Sequence, residues 1–503
     1  MRKDQPESIE PNRQDPPSIS CARAAVDPAS DNPSSGGPKP DAGHENPHPG
    51  RIAENRLTQG VLRLAIPAVL EQVLVMIVGV ISTMLVGKLG KEALSAVGIV
   101  NQTIAFILVL SVALSTGSTV LVARLIGEGN RSDARDAMRQ TVVLGAVAFT
   151  LVALVCHAFS GPILRLFFGS AEPAVLRHAE TYFRISMAGL PFLLVNTIIS
   201  GNMRGAGNMK APMFIAGMVN VLNLTLGIIL IFGVSLPAIG LALPAHGVAG
   251  AAWAVSVARI FGGIVSILWI RNGEGPLRTP LLKGFRLNLP LLVRTGRVGL
   301  PAMLEQIVMQ GGFLMIQVVL AGQGTTTMAV MQIGNSVNSI AFIPTWGFGL
   351  AATTLIGQSM GEGRPEFAKK AGYEANRLCL YVSLTLSLAL FVFAPQLTAM
   401  YTDDAEVLSV GIKAIRIFCC SQPFLSVVVV LSGALRGAGD ITYVMLTSFV
   451  GIWGMRLLLT VVFHEWFALG ALSVWFAYGM DFLVRSAMYR HRFGRGKWMS
   501  IRI

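Results

Sequence analysis

After its first 55 residues the chain alternates between apolar runs of about 20 residues and short segments rich in Gly, Pro and charge. Gly127-Glu128-Gly129-Asn130-Arg131 and Arg271-Asn272-Gly273-Glu274-Gly275-Pro276 are two such segments. A hydrocarbon core about 30 Å thick takes roughly 20 residues of helix, and a spanning segment must satisfy its backbone polar groups internally. The pattern therefore predicts twelve spans. They begin near Leu62, Ala93, Ala137, Ile185, Ala211, Val248, Val298, Met328, Gly372, Ile412, Ile441 and Leu469.

The pattern also repeats. Residues 64–73 (LAIPAVLEQV) match 298–307 (VGLPAMLEQI) at five of ten positions, with an offset of 234. The same offset lays Gly127-Glu128-Gly129 on Gly361-Glu362-Gly363. An offset of 232 lays 190–208 on 422–440 with ten identities in nineteen. The shared residues include Pro, Glu, Gln and Arg, so common hydrophobicity does not account for them. Six spans per repeat is an even number, so both repeats have the same orientation. The predicted fold is an all-α polytopic membrane protein, with twelve transmembrane helices in two six-helix bundles. A pseudo-two-fold axis along the membrane normal relates the bundles, as in transporters built from parallel repeats. The expected organisation is a disordered cytoplasmic tail over 1–55, a first bundle over 56–275, a cytoplasmic linker over 276–292 and a second bundle over 293–503.

Composition supports lipid as the main solvent. Of 503 residues, 53% are hydrophobic and 13% charged, against about 25% charged in soluble domains. The tail holds ten prolines, 6 basic and 9 acidic residues. It has too little apolar surface to offset the entropy of ordering, and no apolar core of a secretory signal. The net charge of +13 is spread between apolar runs rather than along one stripe, which argues against nucleic acid as a partner. Loops after spans 2, 4, 6, 8 and 10, with Arg139 and Arg377 at the span starts that follow, hold 17 Lys/Arg, whereas the other loops hold Lys88, Lys91, Arg165 and Arg177, leaving aside Arg184, Lys413 and Arg416 at span starts. The positive-inside rule places the former, and both termini, in the cytoplasm. Five cysteines without a CxxC pair give no disulfide framework or zinc site, so neither cofactor nor metal is expected.

Several segments carry a family resemblance. They are Val86-Gly87-Lys88-Leu89-Gly90 with Ala93-Leu94-Ser95-Ala96-Val97-Gly98, and Gly357-Gln358 with Gly361-Glu362-Gly363. The paired Arg-Gly-Ala-Gly segments at Arg204 and Arg436 and the tail from Arg492 to Trp498 complete the set. In this order, on a duplicated twelve-span chain, they resemble the multidrug and toxic compound extrusion (MATE) family over everything after residue 55. The resemblance implies two bundles around a central cavity that opens alternately to either side of a bacterial inner membrane. It also implies a monomer that exports small amphiphilic organic cations, driven by protons or sodium ions moving inward.

The family's coupling acids do not carry over. Members of the DinF-like branch have an Asp in span 1, where Ser82 stands here before Thr83. They also have an acid four residues after the span-5 Asn, where Asn223 is followed by Gly227. The NorM branch has an Asp ahead of the span-10 Gly-x-x-Arg-Gly motif, and the residues before Gly433 are uncharged back to Arg416.

Three acids remain inside the predicted spans, and an ionisable group at membrane depth is a functional candidate by default. They are Glu71, Glu305 and Asp481. Glu71 and Glu305 are repeat mates, each one turn after a proline, Pro67 or Pro301, whose missing N–H frees a carbonyl. Such a carboxyl can take a proton from one side and release it to the other. The competing expectation is that each is satisfied by water or an arginine. Asp481 and Arg485 have the i, i+4 spacing of an ion pair on one helix. Arg259 and Arg456, also within spans, need partners or a watery cavity.

Candidates for the cavity wall are Gln72, Gln306, Gln310, Gln332, Asn101, Asn335 and Asn338, each of which could equally bond between helices. Methionines such as Met309 add adaptable surface. Gly201-x-x-x-Gly205 and Gly433-x-x-x-Gly437 read as close packing rather than sites.

No GxxxxGK[ST] string occurs, so an ATP-driven pump is not expected. HExxH letters occur only at His44–His48, in the proline-rich tail, and GxSxG letters only at Gly357–Gly361, where the apolar run of span 8 ends, so no enzyme is expected either. The alternative function is a lipid-linked precursor flippase of a related bundle fold, which would need several arginines for an anionic headgroup. Two arginines deep in the spans against two repeat-related glutamates favour a cationic cargo.

Overall fold

The computed structural model describes residues 56–169, 171–236, 241–272, 275–281, 285–322, 325–467 and 469–501. The expected tail over 1–55 lies outside the described residues. Twelve long helices occupy most of the rest. The first six are α1 (Leu57–Gly87), α2 (Lys91–Gly127), α3 (Arg131–Ala158), α4 (Pro173–Gly205), α5 (Lys210–Phe232) and α6 (Gly247–Asn272). The second six are α7 (Leu289–Ala321), α8 (Thr325–Gly361), α9 (Pro365–Val392), α10 (Ala405–Ala438), α11 (Ile441–Glu465) and α12 (Ser473–Gly494). Apart from these there are short helical turns and a two-stranded ribbon, β1 (Val234–Leu236) paired antiparallel with β2 (Leu241–Leu243), between α5 and α6.

Eleven of the twelve are long and apolar enough to cross a membrane. The remaining helix, α12, carries Asp481, Arg485, Arg490 and Arg492. The outward surface is apolar. Val147, Leu151, Leu154 and Val155 of α3, at helical spacing, are each more than half exposed, an arrangement suited only to lipid. The chain is a multi-pass membrane protein.

Helix ends follow local chemistry. Asn130 caps α3 by accepting the Asp133 amide at 3.1 Å, and the Asp404 carboxylate caps α10 on the Glu406 and Val407 amides. Such caps satisfy amides that lack helical partners. After α2 and α8 the chain turns through Gly129 and Gly363, with φ of 77° and 69°. That region is open to glycine at little cost.

The duplication read from sequence is present in the packing. In the first half α2 packs on α3 and α4, α4 on α3 and α6, and α1 on α5. In the second, α8 packs on α9 and α10, α10 on α9 and α12, and α7 on α11. Even the short helix Ser160–Phe168 after α3 has its mate, Ala394–Ala399, after α9. Between halves, α2 meets α7 and α8, while α1 meets α8. The segment after α6 lies along α3, where Arg135 Nε donates to the Pro276 carbonyl at 2.8 Å and Gln140 Nε2 to the Arg286 carbonyl at 3.0 Å.

The halves meet backbone to backbone where α2 and α8 end. A Cβ on Gly127 would overlap the Gln358 carbonyl, and one on its repeat mate Gly361 would overlap the Arg124 carbonyl. Gln358 Nε2 also donates to the Gly205 carbonyl at 2.8 Å, and Thr354 Oγ1 to the Arg204 carbonyl at 3.0 Å. At this end, which bears the basic loops, the halves are in direct contact.

Candidate functional site

A cavity of about 630 Å³ lies between the halves, mainly against α7, α8, α10, α11 and α12, with α2 and α4 closing it. Its wall combines aromatic rings (Phe313, Phe342, Trp346, Phe482) with four arginines, Arg204, Arg436, Arg456 and Arg485. Each arginine has a carboxylate partner, and each predicted acid proves to be one of those partners.

Glu71 is buried in α1 and accepts from Arg204 Nη1 of α4 at 2.7 Å. Its repeat mate Glu305 lines the cavity and accepts from Arg436 of α10 through two bonds, 3.2 Å from Nε and 2.6 Å from Nη2. The Ser448 hydroxyl donates to Glu305 Oε1 at 3.2 Å, and Tyr489 OH lies 3.5 Å from that hydroxyl. The same sequence feature positions both arginines. Each sits inside the Gly-x-x-x-Gly segment, where a Cβ at Gly205 would collide with the Thr119 carbonyl and one at Gly437 with the Thr353 carbonyl. The glycines therefore do pack closely, α4 on α2 and α10 on α8, and that approach delivers Arg204 and Arg436 to the wall.

Asp481, fully buried in α12, holds Arg485 one turn later through Nε and Nη2, both at 2.6 Å. It also accepts from Arg456 Nε at 2.9 Å, with a second contact from Arg456 Nη2. Arg456 stacks over Tyr478 at 4.0 Å and Phe482 at 5.2 Å. It reaches them because residues Val450–Leu457 of α11 form a π-helical turn, a distortion often found at functional sites. Gly451 leaves the space; a Cβ there would overlap Asp481 and Arg485.

The polar candidates divide. Gln306 and Asn338 line the cavity, and Asn338 Oδ1 is a buried acceptor without a partner among the described residues. Gln72, Gln310 and Asn335 are half-buried in their helices and Gln332 is exposed, all four away from this wall. Asn101 faces a different cavity inside the first half. Met309 is on the central wall. Among the described residues no group of three or more His, Cys, Asp or Glu could hold a metal.

Sequence reasoning found the acids and the Arg485 pairing but missed Arg204, Arg436 and Arg456 as partners. The signal for the first two was present, since the acids recur at an offset of 234 and the arginines at 232. Two groups that move together between repeats are candidates to touch. Nothing in the sequence announced the π turn that delivers Arg456.

Comparison with known proteins agrees with this architecture. The MatE family profile matches residues 67–229 and 301–462. A probable multidrug resistance protein NorM from Thermotoga maritima is 31% identical over 439 residues, 87% of this chain and 92% of that protein. The multidrug resistance protein MdtK of Yersinia pestis is 23% identical over 399 residues, 78% and 85% of the two chains. A solved multidrug resistance MATE family transporter of the MOP superfamily, in an outward-facing conformation, superimposes with a TM-score of 0.79 over 89% of this chain and 99% of its own, at 21% identity. Members of that family are transporters rather than enzymes, and this chain belongs to it: it is a MatE (MATE) family membrane transporter.

Proposed function

We propose that this protein is a secondary active multidrug exporter of the inner membrane, with both termini cytoplasmic, in which protons moving inward drive amphiphilic organic cations out. The observation that carries the reading is Glu305, a carboxylate on the wall of the cargo-sized cavity that is already held by Arg436 and Ser448. A guanidinium does not deprotonate in a protein, so the pair can change only at the carboxyl. A proton on Glu305 removes the charge that holds Arg436 and frees its side chain, a change that can bias one packing of the halves over another. A sodium ion at the same carboxylate would need several oxygen ligands beside a fixed positive charge, which favours the proton. Glu71 with Arg204 forms a second such pair.

Aromatic rings on the wall suit a flat cation through stacking and cation–π attraction. With the basic loops in the cytoplasm, the contact at Gly127 and Gly361 closes the cavity on that side, as expected of the outward-facing arrangement.

One observation favours the flippase reading: four arginines, rather than two, border the cavity. Three carboxylates, Glu71, Glu305 and Asp481, offset three of the four charges. The nearly neutral wall fits an amphiphile better than a pyrophosphate. Purified protein in liposomes, loaded with ethidium or with a fluorescent lipid-linked pyrophosphate, distinguishes the readings. Ethidium movement under a pH gradient and not under a sodium gradient supports the proposal. Movement under sodium alone replaces the ion, and flipping of the lipid probe without ethidium movement replaces the function.

A further inference from the structure

The second cavity, about 500 Å³, lies within the first half among α1, α2, α4, α5 and α6. Among the described residues its polar lining consists of Ser82, Thr83, Asn101, Tyr182, Asn220, Asn223 and Arg259, with no carboxylate. Arg259 is the unusual member. Among the described residues it has neither ion pair nor hydrogen bond, and its Nη1 is a buried donor without a partner. Asn220 Nδ2 is a second buried, unpaired donor on the same cavity.

The duplication shows what is missing. Aligning α6 with α12 from their first residues places Val248 on Val474, Ala251 on Ala477 and Arg259 on Arg485. In the second half Arg485 is neutralised by Asp481, one turn earlier. The position one turn before Arg259 is Val255, which also lines the cavity. The first half has the cation without a built-in counter-ion, and a cavity lies beside it. A charge at membrane depth without a counter-ion is costly, and a buried donor without an acceptor adds to that cost.

We infer that this cavity binds a small monovalent anion, a halide ion or a carboxylate group, on Arg259 and Asn220. The anion takes the place that Asp481 holds in the second half. The site is separate from the central cavity, and the inference does not depend on the export reading because binding is measured without transport.

The test uses the full-length protein in detergent, titrated with sodium chloride or sodium benzoate at constant sodium concentration made up with sodium sulfate. Heat of binding and unfolding temperature are both followed. Wild type is expected to bind one of the two probes saturably and to unfold at a higher temperature as it does. Val255→Asp recreates the i, i+4 pair of the second half. It is expected to fold without added anion and to bind at least about tenfold more weakly, because the new carboxylate repels the ligand and occupies its donors. Arg259→Gln is the second variant and is expected to abolish binding. Saturable chloride binding identifies a halide site, and benzoate binding alone identifies an organic carboxylate site. No saturable binding of either probe overturns the inference in favour of a merely hydrated arginine. Binding unchanged in both variants overturns its location.

Discussion

At Asp481 one carboxylate holds two guanidinium groups inside the membrane, and the balance is fragile in one direction only. Removing either arginine leaves a neutral pair, whereas removing the acid leaves two buried cations facing each other. Breaking a buried ion pair from one side typically costs about 3–5 kcal/mol. Asp481→Asn is expected to lose at least that much, read as a lower unfolding temperature in detergent; Arg456→Met, which leaves the Arg485 pair intact, is expected to lose less. Equal losses would mean that Arg456 and Arg485 are not competing for one counter-ion. At Glu305 the geometry is bidentate, which a lysine cannot reproduce. Arg436→Lys is expected to keep the charge and lose much of the export rate, and an unchanged rate would mean that the fork geometry has no role. The acids were legible in the sequence because so few lie within the spans. Their partners were not, because Arg204 is 133 residues from Glu71 and Arg436 is 131 from Glu305, a separation only the repeat could bridge.

Among the elements, eleven of the twelve long helices carry the apolar run that the membrane demands, and the twelfth, α12, was expected from the shorter run that begins near Leu469 despite its charges. Their ends were not legible. The fourth span was expected near Ile185, yet α4 begins at Pro173, because Arg177, His178 and Glu180 interrupt the apolar run without interrupting the helix. The tenth was expected near Ile412 and begins at Ala405, where Asp404 caps it. Hydropathy reports the depth of the slab and says little about helix that continues beyond it. The register change in α11 left no trace in composition, since Val450–Leu457 reads as ordinary apolar helix apart from Arg456. The contact of α2 with α8 gives a prediction at this scale. Valine at Gly361 would push the two backbones apart, so Gly361→Val is expected to loosen this contact and raise thiol labelling of a cysteine placed at Thr354 from the basic-loop side. Labelling no faster than in the parent cysteine protein would show that this contact does not close the cavity.

At the scale of the whole molecule, two similar halves enclose a cavity whose chemistry is not similar on both sides. Both halves contribute a glutamate–arginine pair, but the Arg456–Asp481–Arg485 cluster belongs to the second half alone. The central cavity accordingly lies mostly against α7, α8, α10, α11 and α12, while the first half holds a separate cavity with Arg259. Duplication was legible as aligned segments, but the asymmetry was not, because Val255 and Asp481 lie outside those segments and correspond only once the helices that begin at Gly247 and Ser473 are laid on each other. Within aligned segments a sequence shows which positions differ between the halves. Which cavity each faces follows from the packing of helices far apart in the chain.

The central claim is that protonation of Glu305 couples the ion gradient to movement of cargo, and the most direct measurement separates coupling from binding. Wild type and Glu305→Gln would be placed in liposomes containing ethidium and compared in two assays: exchange with no gradient, and uphill movement under an imposed pH gradient. The account predicts that Glu305→Gln retains exchange within about threefold of wild type, a change of under about 1 kcal/mol in the barrier to exchange. It predicts that the same variant loses uphill movement entirely. Uphill transport by Glu305→Gln at the wild-type rate would contradict the account and move the coupling away from this pair.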